Sequence, residues 1–321
     1  MSKINVNSNF HTLGGKSILD KDDEKFREYR RKWKECPENF QVPEFPLFID
    51  IESTSVCNLK CVFCYNRERI GGGFIDEKIV HKIIDEGSKN GLCGVKFNFR
   101  GEPLLHPQIH EFVKYAKDKG LIDVYFNSHG LLLNEDMARK LIEAGLDRIS
   151  ISFEGHNKEV YEANRVGSNF ETVVSNVKNL IRLRKELGVE HPKVRVQTVL
   201  IPSVVGHEQE YKDFWLDIGV DEVAYLDFKD MKDHHLGLEH DWACPQLWQR
   251  MAVLWDGTLI PCNHDDENEI KIGNVKDVSI KKQWNSEKLN KIRELHKQGQ
   301  SHRVPGCNGC YLRDSEINKL K

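Results

Sequence analysis

The sequence predicts an α/β protein, a partial TIM-like (β/α)6 barrel followed by a small C-terminal unit of β-hairpin and helix. Three observations carry this. From Phe48 onward, β-rich runs alternate with amphipathic helical segments; a glycine follows each of five helical segments; and the rhythm stops past Asp227, where a different, cysteine-bearing pattern begins. Strands alternating with helices form a parallel sheet with right-handed crossovers. Six units are too few to close an eight-stranded barrel. An open, curved sheet is expected, with its active face at the carboxyl ends of the strands.

Residues 1–45 are polar and charged, with Arg27, Arg30, Arg31, Lys32 and Lys34 close together and Pro37, Pro43 and Pro46 after them. They read as an arm or short helix whose basic run is a solvated face. The barrel is assigned to 46–230 and the C-terminal unit to 231–321. Helices are expected at 76–90, 107–119, 134–144, 170–187 and 207–218, with apolar residues at helical spacing such as Ile79, Val80, Ile83 and Ile84. Gly91, Gly120, Gly145, Gly188 and Gly219 follow them as left-handed C-caps. The strands are FIDIE, VKFNF, DVYFN, RISISFE, VRVQTVL and EVAYLDF.

Alternation along these strands separates two faces. One carries Asp50, Glu52, Asn98, Arg100 and Glu102, then Ser150, Ser152, Glu154, Arg195, Gln197, Tyr225 and Asp227. The other carries Ile49, Ile51, Phe97, Phe99, Ile149, Ile151, Val194, Val196 and Leu226. The apolar face suits the covering helices, so the polar face lines a hollow that reads as a binding site.

Composition narrows the class. Hydrophobic residues make up 39% and charged residues 30%, enough to build a core. The balance of 47 Lys+Arg and 50 Asp+Glu gives a net charge of −3, which argues against a general nucleic-acid binder. No apolar run approaches a membrane span and the N-terminus shows no signal-peptide core, so a cytoplasmic protein is expected.

Nine cysteines are an unusual count. A cytoplasmic chain of this size needs no disulfides, and an odd number cannot all pair internally. Seven fall into two groups, Cys57/Cys61/Cys64 and Cys244/Cys262/Cys307/Cys310, while Cys36 and Cys93 stand apart. The first group, Cys-x3-Cys-x2-Cys, lies in the loop after the first strand and offers three ligands where a closed site needs four. One metal position is left for something else. A zinc knuckle with a remote fourth ligand is the competing reading.

The residues SVCNLKCVFCYN resemble the radical S-adenosylmethionine (SAM) superfamily. The resemblance implies that Cys57, Cys61 and Cys64 bind three irons of a 4Fe–4S cluster whose fourth iron is chelated by SAM. It places the aromatic residue Phe63 near the SAM adenine and counts Tyr65 among the cofactor-binding residues. Arg100-Gly101-Glu102-Pro103 resembles the family's GGEP motif, which holds the SAM amino group, with arginine in place of the first glycine. Ser152 and Glu154 fall where the family sets polar groups against the SAM ribose or carboxylate, and Arg165 matches an arginine that pairs with that carboxylate. Asn127 and His129 end the third strand as loop hydrogen-bonders or substrate contacts.

Past the barrel, Cys244-x12-Gly257-x4-Cys262 and the distal Cys307-x2-Cys310 resemble the SPASM auxiliary-cluster domain in its shortened "twitch" form. Asp256-Gly257 forms the hairpin turn between RMAVLW and TLIPC, and a helix is expected near 279–297. These four cysteines would fully ligate one auxiliary 4Fe–4S cluster, with a structural zinc ribbon as the alternative. His264, Asp265 and Asp266 read as solvated loop residues.

The resemblance implies a 5′-deoxyadenosyl radical that takes hydrogen from a substrate, with electrons from a flavodoxin or ferredoxin type of donor. Dehydrogenation, epimerisation and modification of a precursor peptide compete, beside a SAM-binding iron–sulfur protein without turnover. Cys93 precedes the second strand, away from the catalytic rim, and Cys36 lies in the arm, so neither suits an epimerase's hydrogen donor. About 45 residues before the barrel leave little room for a leader-peptide domain. Oxidation of a secondary alcohol on a sugar, aminosugar or aminocyclitol is the favoured expectation. The lining of Glu52, Arg195, Gln197 and Asp227 suits such a substrate, with Asp227 as the base and Arg195 on a substrate oxygen or phosphate. No nucleic-acid or membrane partner is expected.

Overall fold

The computed structural model describes residues 10–64, 72–228, 242–265 and 267–318; Tyr65 and Asp266 lie outside them. The N-terminal segment is a working part of the barrel. It forms β1 (Phe10–Gly15) and α1 (Glu24–Glu38), the helix opening where the Asp23 carboxylate accepts the Phe26 N–H at 2.7 Å. Phe26, Tyr29 and Trp33 recur along one face of α1 and pack with Leu47 and Phe48. Full burial of such side chains stabilises by about 1.5–3 kcal/mol each. Arg27 and Arg31 stay more than half exposed on the opposite face, as expected of a solvated basic run, whereas Arg30 of the same run departs from it and lies half-buried over the Tyr29 and Trp33 rings.

Six strands then follow in order: β2 (Phe48–Ile51), β3 (Gly94–Lys96), β4 (Asp123–Ser128), β5 (Arg148–Ser152), β6 (Lys193–Leu200) and β7 (Glu222–Asp227). All pair in parallel with their sequence neighbours. The crossovers carry α2 (Glu77–Asn90), α3 (Ile109–Asp118), α4 (Glu135–Glu143), α5 (Lys158–Asn164), α6 (Phe170–Glu186) and α7 (Glu208–Ile218). The five expected helices are present within two residues at each end; α5 is additional. Gly91 and Gly219 cap α2 and α7 in the left-handed region, at φ 89° and 95°. Lys21 Nζ donates to Ile122 O and Asp147, and the Tyr29 hydroxyl to Asp123, so the N-terminal segment closes the amino-terminal mouth of the barrel.

Two details depart from simple alternation. In β7 the register sets Glu222, Ala224 and Leu226 beside Arg195, Gln197 and Val199, one residue out of phase with the expected Tyr225 and Asp227. The buried pairing of Arg195 with Glu222 at 2.7 Å accompanies this phase, and Tyr225 stacks instead on His11 of β1. After Lys96 the chain leaves the strand, so Phe99, expected against the helices, lines the hollow. The hollow is otherwise polar as expected, and its charges are paired: Arg148 with Asp123, Arg100 with Glu52, and both Lys96 and Arg250 with Asp50.

The C-terminal unit continues the same sheet. β8 (Arg250–Val253) lies parallel to β2, and β9 (Thr258–Ile260) and β10 (Gly273–Asn274) follow antiparallel. Among the described residues the order is β1-β7-β6-β5-β4-β3-β2-β8-β9-β10. The hairpin turn falls at Asp256-Gly257, with Gly257 at φ 88° and the Asp256 carboxylate accepting the Thr258 N–H at 2.9 Å. The helix expected near 279–297 is two, α8 (Ile280–Trp284) and α9 (Glu287–Lys297), because Ser286 breaks out of the helix to cap α9. Glu86 of α2 accepts the N–H groups of Ile280 and Lys281, tying α8 to the barrel. A last helix, α10 (Tyr311–Asn318), starts directly after Cys310. No helix among the described residues is long and apolar enough to cross a membrane.

Candidate active site

The loop after β2 carries Cys57, Cys61 and Cys64 to the carboxyl-end rim. It is held by the segment after β5, where the Lys60 N–H donates to Val166 O at 2.9 Å and the Val62 N–H to Asn164 O at 3.0 Å. Those two carbonyls flank Arg165, which is thereby delivered beneath the thiols. Its NH1 lies 3.7 Å from Cys61 Sγ, its Nε donates a short hydrogen bond to Glu154, and its guanidinium lies over Phe63 at 5.7 Å. Burial works against the charge on Arg165, but Glu154 and Cys61 hold its pKa above the usual arginine value. Burial also raises the Cys61 thiol to about 11, with Arg165 opposing, and raises Cys57.

The Arg100–Pro103 turn meets this loop from below. Gly101 sits at φ +69°, and a Cβ there would lie 2.4 Å from Thr54 O and 2.7 Å from Val56 O. Only glycine fits so close to another backbone. Glu102, 2% exposed, accepts from the Leu104 N–H, the Ser128 hydroxyl and the His129 N–H. The His129 ring in turn lies 2.8 Å from Asn58 in the cysteine loop. Arg100 forms a two-pronged pair with Glu52, which also accepts the Trp255 N–H of the C-terminal hairpin. The arginine that departs from the GGEP pattern therefore joins this turn to the C-terminal unit. Gly101→Ala is expected to destabilise the fold by about 1–3 kcal/mol through backbone strain, seen as a lowered midpoint in thermal denaturation.

These elements surround a cavity of about 410 Å³. Cys57, Cys61, Cys64 and Phe63 form one wall, and Asn263, His264 and Tyr311 of the C-terminal unit line it too. Gly101, Glu102, Ser152, Arg165 and Asp227 are on the lining; Arg195 is not, and instead faces a second cavity toward the closed end. Glu154 acts from behind through Arg165, and Pro103 starts the short helical turn after Glu102. Lys96, Asn98, Phe99, Asn127 and His129 are also on the lining. His264, expected to be solvated, lies 2.6 Å from the Tyr311 hydroxyl. Its place two residues after Cys262, like that of Tyr311 directly after Cys310, was the available signal. Asp265 is 3% exposed and accepts the Glu269 and Ile270 N–H groups, holding a loop together. Neither Cys36 nor Cys93 lines the cavity.

Cys244, Cys262, Cys307 and Cys310 converge in the C-terminal unit. Burial, reinforced by neighbouring thiols of the set, raises Cys244 to about 12 and holds Cys262 and Cys307 well above the usual thiol value. Among the described residues, the group of three or more metal-binding side chains closing within 4.8 Å is His156, His207 and Glu210; neither cysteine set closes so far. Arg313, fully buried beside Cys307 and Cys310, leaves NH1 and NH2 without hydrogen-bond partners, which an anionic cluster at these thiols would satisfy.

An α/β barrel bearing an open set of three thiols at its carboxyl rim and a closed set of four in an added hairpin unit defines a class of cluster-dependent radical enzymes. Residues 51–214 match the radical SAM superfamily, and residues 244–311 match SPASM, an iron–sulfur cluster-binding domain. The chain belongs to the radical SAM superfamily and carries a C-terminal SPASM-type auxiliary domain. Among curated proteins it is similar to the tungsten-containing aldehyde ferredoxin oxidoreductase cofactor-modifying protein of Pyrococcus furiosus, 24% identical over 84% of this chain and 88% of that protein. Among solved structures it is similar to BtrN in complex with AdoMet and 2-DOIA, at a TM-score of 0.54, 18% identity, 84% of this chain and 93% of the other. It is also similar to Streptococcus suis SuiB bound to precursor peptide SuiA, at a TM-score of 0.65, 15% identity, 92% of this chain and 79% of the other. It is a radical SAM enzyme.

Proposed function

We propose that this enzyme removes a hydrogen atom from a small polar substrate and oxidises a secondary alcohol of a sugar, aminosugar or aminocyclitol to a ketone. One observation carries the reading: a single cavity has the three-thiol set on one wall and residues beside the four-thiol set on its lining. Cys57, Cys61 and Cys64 would hold one 4Fe–4S cluster, and Cys244, Cys262, Cys307 and Cys310 a second. Gly101, Glu102, Ser152, Arg165 and Phe63 would cradle SAM. When bound, these groups supply one-electron cleavage of SAM, hydrogen-atom abstraction and a site for the electron left on the substrate. Asp227, on the cavity lining and 3.5 Å from His11 Nε2, would take the hydroxyl proton. Asn98, Asn127 and Lys96 offer donors to the remaining substrate oxygens.

A second reading, modification of a precursor peptide, is favoured by shape: the match to peptide-bound SuiB is closer than that to BtrN, 0.65 against 0.54. Anoxic reconstitution with iron, sulfide, SAM and dithionite divides the readings. Absence of 5′-deoxyadenosine sinks both. A sugar product lighter by two hydrogens, with no solvent deuterium at carbon, supports the dehydrogenase; deuterium at a recovered sugar carbon points to epimerisation, and modification of a peptide alone to the second reading. Asp227→Asn is expected to slow oxidation by about 10²–10⁴-fold while leaving SAM cleavage without substrate unchanged.

A further inference from the structure

Beneath the first cavity, toward the mouth closed by α1, lies a second chamber of about 610 Å³. The two adjoin: His264 lines both, and Asp227 of the first faces His11 of the second. Its size falls within the range of small-molecule sites, about 300–1,000 Å³. Its wall is unusual in charge. Among the described lining residues are four arginines, Arg30, Arg148, Arg195 and Arg250, against one carboxylate, Glu316.

The carboxylates that hold three of these arginines stand outside the wall. Asp123, Glu222 and Asp50 are at most 1% exposed and grip Arg148, Arg195 and Arg250. The guanidinium groups are thereby oriented while their charge borders the chamber. Arg250 keeps its Nε–H buried without a hydrogen-bond partner. Arg30 is held by aromatic rings, 5.5 Å over Tyr29 and 5.1 Å over Trp33. Tyr125 and Trp242 add further aromatic wall. Oriented guanidinium groups interleaved with rings recognise phosphate oxygens beside a flat heterocycle.

We propose that this chamber binds the nucleoside diphosphate group of an activated sugar whose sugar ring reaches into the first cavity. The assignment rests on the reading that the first cavity takes a sugar-like substrate. It also accounts for α1, which seals the amino-terminal mouth and contributes Arg30 and Trp33 to the chamber.

The test is equilibrium dialysis under anoxic conditions, on the cluster-loaded protein with SAM, using UDP, GDP, inorganic pyrophosphate and uridine. At least one nucleoside diphosphate is expected to bind about tenfold or more tightly than pyrophosphate or uridine. Arg30→Gln and Arg250→Gln are each expected to weaken it about tenfold, with SAM cleavage unchanged. Arg30→Gln strands no buried carboxylate, and Arg250→Gln leaves Asp50 paired with Lys96 at 2.9 Å, so both variants should fold. The proposal is overturned if neither nucleotide binds at millimolar concentration, if both variants bind like the parent, or if pyrophosphate binds as tightly as UDP and GDP. Arginine-dependent nucleotide binding in a protein that oxidises no sugar upholds the chamber and removes the dehydrogenase reading alone.

Discussion

Cys61→Ala is expected to abolish 5′-deoxyadenosine formation and to lower iron content by roughly half, since on the proposed reading one of two four-iron sites loses a ligand. The three-thiol set has no spare member among the described residues. Cys36 sits in the core and Cys93 packs beside the α1 cluster, neither on the cavity. Cys61 is also the proposed ligand that Arg165 NH1 approaches, so its loss would remove a cluster ligand and the arginine's neighbouring sulfur together. Iron analysis and electron paramagnetic resonance of the reduced protein check this independently of any substrate. Retained SAM cleavage with a full complement of iron would refute the assignment of the first cluster.

Arg165→Leu comes second in expected effect. Glu154, 2% exposed, would lose its cationic partner and keep a buried charge, a change that costs about 3–5 kcal/mol. For a protein of this size the midpoint of thermal unfolding should fall by roughly 4–7 °C. Adding Glu154→Gln should recover much of that loss, because a neutral amide can still accept from the Val199 N–H without carrying charge. A structural role alone predicts full recovery of both stability and SAM affinity in the double variant. Arg165 as a SAM-positioning residue predicts recovered stability with SAM affinity still reduced, read by equilibrium binding.

Much of the site was legible because its residues cluster in short local patterns. The loop from Cys57 to Cys64, the turn from Arg100 to Pro103 and the Cys307/Cys310 pair each span fewer than ten residues, and their local patterns carry the resemblance that implies their chemistry. Other lining residues carry no local mark. Lys96 and Asn127 lie on separate strands, and what joins them is the curvature of the sheet. His264 looked like an ordinary loop histidine until the C-terminal hairpin folded it over the cavity. Arg195 had the right strand and the right face but the wrong depth. Three residues into its strand, it pairs with Glu222 below the first cavity. Alternation reports the face of a strand and says nothing of the level at which a cavity begins.

The sequence by itself determined the strand–helix rhythm, the open and closed cysteine sets and the radical SAM membership. The rhythm and the cysteine sets depend on spacing along the chain, which helical and strand periods convert directly into geometry, and the membership on motifs that resemble a known family. Tertiary structure alone decided three further things. The N-terminal segment closes the barrel mouth, the C-terminal hairpin extends the barrel's own sheet beside β2, and the ion pairs of the hollow leave arginines bordering a second chamber. All three arise from contacts between residues about one hundred to two hundred positions apart, such as Tyr29 with Asp123 and Asp50 with Arg250. Such pairings follow from how the sheet curves and what packs against its ends, which no local period encodes.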